Sequence, residues 1–196
     1  MKRQSLAISF IFFVGLSSAI HAANPRLSKS PLSTSIEQPV IAAIYRDSSG
    51  FLWIGTQEGL YKFDGANLVI FNSDGNNENW IPSSDIRGIS ADIDGNILVA
   101  THGGGLLIWD EFLKAFVSQR DITKVDHSRL TSLHVAKKGN IWVSTIDNIF
   151  LYNQLINANE NWMSTPKFAR VIGKPYVMLE YRSGQLLVGS SLGLSR

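Results

Sequence analysis

Gly50-Phe51-Leu52-Trp53-Ile54-Gly55-Thr56-Gln57-Glu58-Gly59-Leu60 decides the fold, because the chain writes it four times. It returns as Gly95-Asn96-Ile97-Leu98-Val99-Ala100-Thr101-His102-Gly103-Gly104 and as Gly139-Asn140-Ile141-Trp142-Val143-Ser144-Thr145-Ile146-Asp147-Asn148. The last copy is Gly184-Gln185-Leu186-Leu187-Val188-Gly189-Ser190-Ser191-Leu192-Gly193. The leading glycines stand at 50, 95, 139 and 184, so the spacings are 45, 44 and 45 residues. A period in that range belongs to repeat architectures. A repeat array is a scaffold, and that favours binding or sensing over catalysis.

Around each copy, short apolar runs alternate with Asp-Gly, Gly or Asn turns, which is hairpin chemistry. In the first unit the runs are Val40 to Tyr45, Phe51 to Ile54, Leu60 to Phe63 and Leu68 to Phe71. Four antiparallel strands per unit make one propeller blade. The expected class is therefore all-β, a β-propeller of about four four-stranded blades over 40–72, 85–118, 130–172 and 175–196. In the third unit the fourth strand is placed at Phe168 to Ile172, after an insertion from Gln154 to Lys167. The fourth unit stops at Arg196, partway into a third strand, so the propeller reads as incomplete.

The columns of the repeat carry physical content. Trp53, Leu98, Trp142 and Leu187 share one position, and Ile54, Val99, Val143 and Val188 the next. Adjacent strand residues face opposite ways, so a strand apolar at both must be covered on both faces. Stacked blades meet that condition. Gly55, Ala100, Ser144 and Gly189 are small, which lets a neighbour come close. Thr56, Thr101, Thr145 and Ser190 are hydroxyls placed to bond turn backbone. Gly59, Gly104, Asn148 and Gly193 mark a turn expected to need positive φ.

Composition sets the outer bounds. The 196 residues are 44% hydrophobic and 17% charged, enough for a packed core. Lys and Arg number 18 against 16 Asp and Glu. The excess of two is Lys2 and Arg3, so the remainder is balanced and gives no case for nucleic acid. Those two residues precede an apolar run from Leu6 to Leu16 and the small residues Ser17-Ser18-Ala19-Ile20-His21-Ala22. That is a secretory signal over 1–22, with cleavage expected after Ala22. Residues 23–39, with Pro25 and Pro31, form a lead-in to the propeller at 40–196. Cysteine is absent, which excludes disulfides, thiolate metal sites and a cysteine nucleophile. Export without cysteine fits the bacterial periplasm.

Asp47, Gly50, Leu52-Trp53-Ile54-Gly55-Thr56, Gly59-Leu60, Tyr61 and Asp64-Gly65 closely resemble the repeat of the two-component regulator propeller family. The second copy keeps Asp92, Gly95, Thr101 and Asp110, while the third has Ala136 at the aspartate position and Asn148 for glycine. The resemblance implies an extracytoplasmic sensor region upstream of a membrane span and a histidine kinase or diguanylate cyclase. Such propellers usually have seven blades. This chain then reads as the N-terminal piece of a longer receptor, any membrane tie being through a downstream span outside it.

Two motifs imitate a hydrolase: His102-Gly103-Gly104-Gly105, like an esterase oxyanion loop, and Gly189-Ser190-Ser191-Leu192-Gly193, like a nucleophile elbow. Both fall on repeat columns, and no histidine follows Ser191. Asp92-Ile93-Asp94-Gly95-Asn96 imitates a calcium loop, but its glycine comes too early, and a hairpin turn explains it. The expectation is no catalytic residue, no metal and no cofactor. Propellers bind through loops at one face, and the second-to-third-strand turns share a face with the segments leading into each first strand. This selects Gln57, Glu58, Asp85, Arg87, His102 and Asp147 for a small-molecule, glycan or peptide ligand. Two other readings compete with a sensor: a periplasmic propeller enzyme of glycosidase or lyase class, and a truncated fragment that self-associates through uncovered blade faces.

Overall fold

The computed structural model describes residues 40–75, 78–118, 130–146, 148–153, 162–164, 173–182 and 185–196. The expected signal segment, the lead-in and Asp147 lie outside them. Every regular element described is a strand. Blade 1 is β1 (Ile41–Arg46), β2 (Leu52–Thr56), β3 (Leu60–Phe63) and β4 (Leu68–Phe71). Blade 2 is β5 (Ile86–Ala91), β6 (Ile97–Thr101), β7 (Gly105–Asp110) and β8 (Ala115–Ser118). Blade 3 is β9 (Leu130–Val135), β10 (Asn140–Thr145), β11 (Ile149–Asn153) and β12 (Trp162–Ser164). The last sheet holds β13 (Pro175–Arg182), β14 (Gln185–Ser190) and β15 (Gly193–Ser195). Each sheet is an antiparallel meander in chain order.

One strand departs from the sequence reading. The outer strand of blade 3 is Trp162–Ser164, inside the stretch read as an insertion, and pairs Phe150 with Ser164 and Tyr152 with Trp162. The apolar pair Trp162-Met163 supplied a short strand signal within a polar run. Residues 168–172, where that strand was placed, lie outside the described ones.

The first strands of successive sheets pack on one another, β1 on β5, β5 on β9 and β9 on β13. Strand β6 shows the consequence of that stacking. Ile97 and Val99 enter a core with Trp53, Leu60, Phe71, Ile86 and Phe116 of blades 1 and 2. Leu98 and Ala100 enter another with Leu130, Ile141 and Val143 of blade 3. A strand apolar on both faces is thus covered on both. Full burial of each large side chain stabilises by roughly 1.5–3 kcal/mol. The rings Trp53 and Phe71 meet Trp109 and Phe116 across the first interface, at centroid separations of 5.3–6.1 Å. The small column acts here: a Cβ on Gly55 would lie 2.5 Å from Ile86 Cγ2, so glycine lets β2 and β5 close up.

The hydroxyl column ties each second-to-third-strand turn in the same way. The hydroxyls of Thr56, Thr101, Thr145 and Ser190 donate to the carbonyls of Gly59, Gly105, Asn148 and Gly193. They also accept from the amides of Glu58, Gly104, Asn148 and Leu192. The positive-φ expectation holds at Gly193 (φ 109°) but shifts in blade 2, where Gly103 (108°) and Gly105 (79°) take it instead of Gly104. The extra glycine there lengthens the turn by one residue and moves the left-handed positions to either side. Asp92 is spent on its own hairpin, accepting from the amides of Asp94 and Asn96 and from the Asn96 side chain, as the turn reading required.

Candidate functional site

Every first strand carries the same irregularity. The register slips by one residue between Ile41 and Ala43, Ile86 and Gly88, Leu130 and Ser132, and Pro175 and Val177. The extra residues are Ala42, Arg87, Thr131 and Tyr176. A bulge bends its strand and re-aims the side chain it carries, and bulges are frequent beside functional sites. All four stand where a first strand begins, opposite the last residues of the second strand. One backbone device therefore presents four different side chains at corresponding places, at the end where the second-to-third-strand turns lie.

Blade 2 builds most on this position. Asp85, just before β5, accepts a 2.6 Å hydrogen bond at Oδ2 from Arg87 Nη2. His102 Nδ1 lies 3.7 Å from the same oxygen, an ion pair only when the ring is protonated. The main chain holds the three together: the His102 amide donates to the Asp85 carbonyl at 2.8 Å, and Ser83 Oγ donates to the His102 carbonyl at 2.6 Å. The last sheet repeats the clip, with the Ser191 amide donating to the Lys174 carbonyl. Asp85 Oδ1 and Arg87 Nε are buried yet have no hydrogen-bond partner among the described residues. An unmet buried polar atom costs roughly 1–3 kcal/mol, and native proteins keep few of them.

The structure thus brings together Asp85, Arg87 and His102. Gln57 and Glu58 are exposed on the corresponding turn of blade 1, and their side chains make no hydrogen bond among the described residues. Asp147 lies outside the described residues. Sequence reading missed Thr131 and Tyr176. Thr131 Oγ1 is tied to Ser144 Oγ at 2.8 Å, while Tyr176 is 59% exposed. A signal existed: Ala42, Arg87, Thr131 and Tyr176 each stand eight residues before a leading glycine, and they vary where the preceding column, Ile41, Ile86, Leu130 and Pro175, is apolar. No cluster of three or more His, Cys, Asp or Glu among the described residues is placed to hold a metal.

Residues 35–58 match the family described as two component regulator propeller. That match covers the first repeat of this chain. No curated protein matches the chain. Among solved structures, the propeller is similar to the extracellular domain assigned to a one-component system, BT4673, of B. thetaiotaomicron. Identity is 17% and the TM-score 0.65, over 84% of this chain and 24% of that one. It is similar to the extracellular domain assigned to a hybrid two-component system, BT3049, of the same organism. There the identity is 19% and the TM-score 0.63, over 80% of this chain and 24% of that one. Virginiamycin B lyase from Staphylococcus aureus shares the fold at 12% identity and TM-score 0.56, over 79% of this chain and 54% of that one. These likenesses establish a propeller fold, and the chain spans about a quarter of the length of the first two.

Proposed function

We propose that this chain is an extracytoplasmic sensory propeller of a bacterial signal-transduction receptor, working with a histidine kinase or diguanylate cyclase output. It binds its ligand at the end bearing Asp85, Arg87 and His102. The observation that carries the site is the repeated bulge: a constant scaffold holding a variable residue is how repeat proteins build a binding surface. The two-component regulator propeller repeat at 35–58 supports the receptor role. The signal-like first 22 residues and the absence of cysteine support export to the periplasm.

Arg87 offers a guanidinium able to bind a carboxylate or a pair of hydroxyl oxygens. Asp85 orients it, His102 adds a second nitrogen donor or acceptor, and Tyr176, one blade pair away, offers an exposed ring. Glu58 and Gln57, exposed on the corresponding turn of blade 1, belong to the rim of the same surface. The ligand class that suits such a surface is a polar small molecule, a glycan or a peptide.

The test is a panel of glycans, short peptides and uncharged polar small molecules screened by the melting temperature of the full chain. At least one compound is expected to raise it, with affinity falling roughly tenfold or more in Arg87→Ala. A panel that never stabilises the protein, or a binder indifferent to Arg87→Ala, Glu58→Ala and His102→Ala together, contradicts this site.

A further inference from the structure

We propose that the cleft between blades 1 and 2 at the opposite end, where the first-to-second-strand turns lie, is a separate site for a small organic anion with a flat apolar body. The cleft encloses about 330 Å³, at the small end of ligand pockets. Phe51, Trp53, Trp109 and Ile97 form its apolar walls, and Lys62 and Ser48 are among its polar ones.

Two departures from the repeat meet in this cleft. Position 51 is phenylalanine where the other copies have Asn96, Asn140 and Gln185. Lys62 pairs with Trp53 across β2 and β3, whereas Leu98 pairs with Ile108 and Trp142 with Leu151. A lysine thus occupies a column that is otherwise aliphatic in the complete blades. Its Nζ lies 4.1 Å from the Phe51 ring centroid, 5.0 Å from that of Trp53 and 5.3 Å from that of Trp109. Ring faces attract the ammonium but leave its N–H groups without an acceptor. Lys62 makes no hydrogen bond or ion pair among the described residues.

The carboxylates nearby are already engaged. Asp47 accepts from the Phe51 amide at 2.9 Å and from Trp53 Nε1 at 2.7 Å. Glu111 pairs with Lys114 and accepts from Trp109 Nε1 at 2.8 Å, and these bonds, helped by the Lys62 charge, hold its pKa below the ordinary glutamate range. What the cleft has left to offer is the Lys62 ammonium, whose field reaches Glu111 but whose N–H groups bond no acceptor among the described residues, flanked by the partly exposed rings of Phe51 and Trp109. A carboxylate on a planar or aliphatic body is complementary to both. A lysine serving only to stabilise the ring cluster would give the same cation–π distances but no preference for anions.

The two roles separate by titrating the full chain with benzoate, benzyl alcohol and benzylammonium while following the tryptophan indole N–H resonances. Benzoate is expected to shift the Trp109 signal saturably, with benzyl alcohol roughly tenfold or more weaker and benzylammonium weaker still. Lys62→Met should abolish the preference for benzoate. Phe51→Asn, the residue two other copies hold, should weaken benzoate too, and it serves if Lys62→Met does not fold. Equal binding of benzyl alcohol, benzoate binding unchanged by the substitutions, or no saturable shift at all would each overturn the proposal.

Discussion

At the scale of single residues, the repeat is a set of small hydrogen-bonding devices. Asp47 closes the first hairpin by accepting from the Phe51 amide and then anchors the Trp53 indole, which is 1% exposed. Asp47→Ala leaves that indole N–H without its partner. We expect a loss of about 1–3 kcal/mol in urea unfolding, with Asp47→Asn costing less because one oxygen remains. A change below about 0.5 kcal/mol would show that the bond is incidental. Thr101 works on the other turn, fully buried, donating to Gly105 and accepting from Gly104. Thr101→Val keeps its shape but removes both bonds, so a cost of roughly 1–3 kcal/mol is expected by the same measurement. Ala136 is the counter-case: its hairpin closes through backbone bonds with Asn140 and Gly139 alone.

At the scale of strands and blades, close approach and inter-blade bonds hold the array. Gly55→Val would drive a branched side chain against Ile86, and overpacking of this kind costs typically about 1–3 kcal/mol. Blades 3 and 4 are joined differently: the Glu180 amide donates to His134 Nε2 at 2.9 Å, and the Lys137 amide donates to Glu180 Oε2. The ring can accept only when neutral. Burial lowers the His134 pKa from 6.5, partly opposed by the Glu180 charge. Folding therefore favours the neutral ring, so this stability is complete above pH 6.5 and is lost as pH falls through the lowered folded value. The melting temperature should fall below about pH 6.5 more in the wild type than in His134→Gln. Identical pH profiles would remove His134 from the account. Much of this scale was legible in sequence, because the period, the two-sided apolar columns and the hydroxyl turns are local patterns. Pairings between blades were not. Lys62 meets Trp109 through space, and the bulges show only once strands are paired. The three-residue β12 was too short to stand out from its polar surroundings.

At the scale of the molecule, the stack leaves apolar residues in water on its first and last blades. Ile44 is 62% exposed on β1, and Val177 and Leu179 are 60% and 55% exposed on β13. A second copy would cover such surfaces as one blade covers another. Sedimentation of the full chain should therefore show concentration-dependent association, weakened in Ile44→Lys with Leu179→Lys; a monomer at all concentrations would contradict it. The central claim concerns where the propeller binds. Its most direct test is an amide chemical-shift map with the strongest stabiliser from the ligand panel. The account predicts perturbation at residues 85–88, 101–104, 131 and 176, the bulged first strands and the turn clipped to them. Perturbation confined to the other end, at residues 47–51 and 109–114, would contradict it.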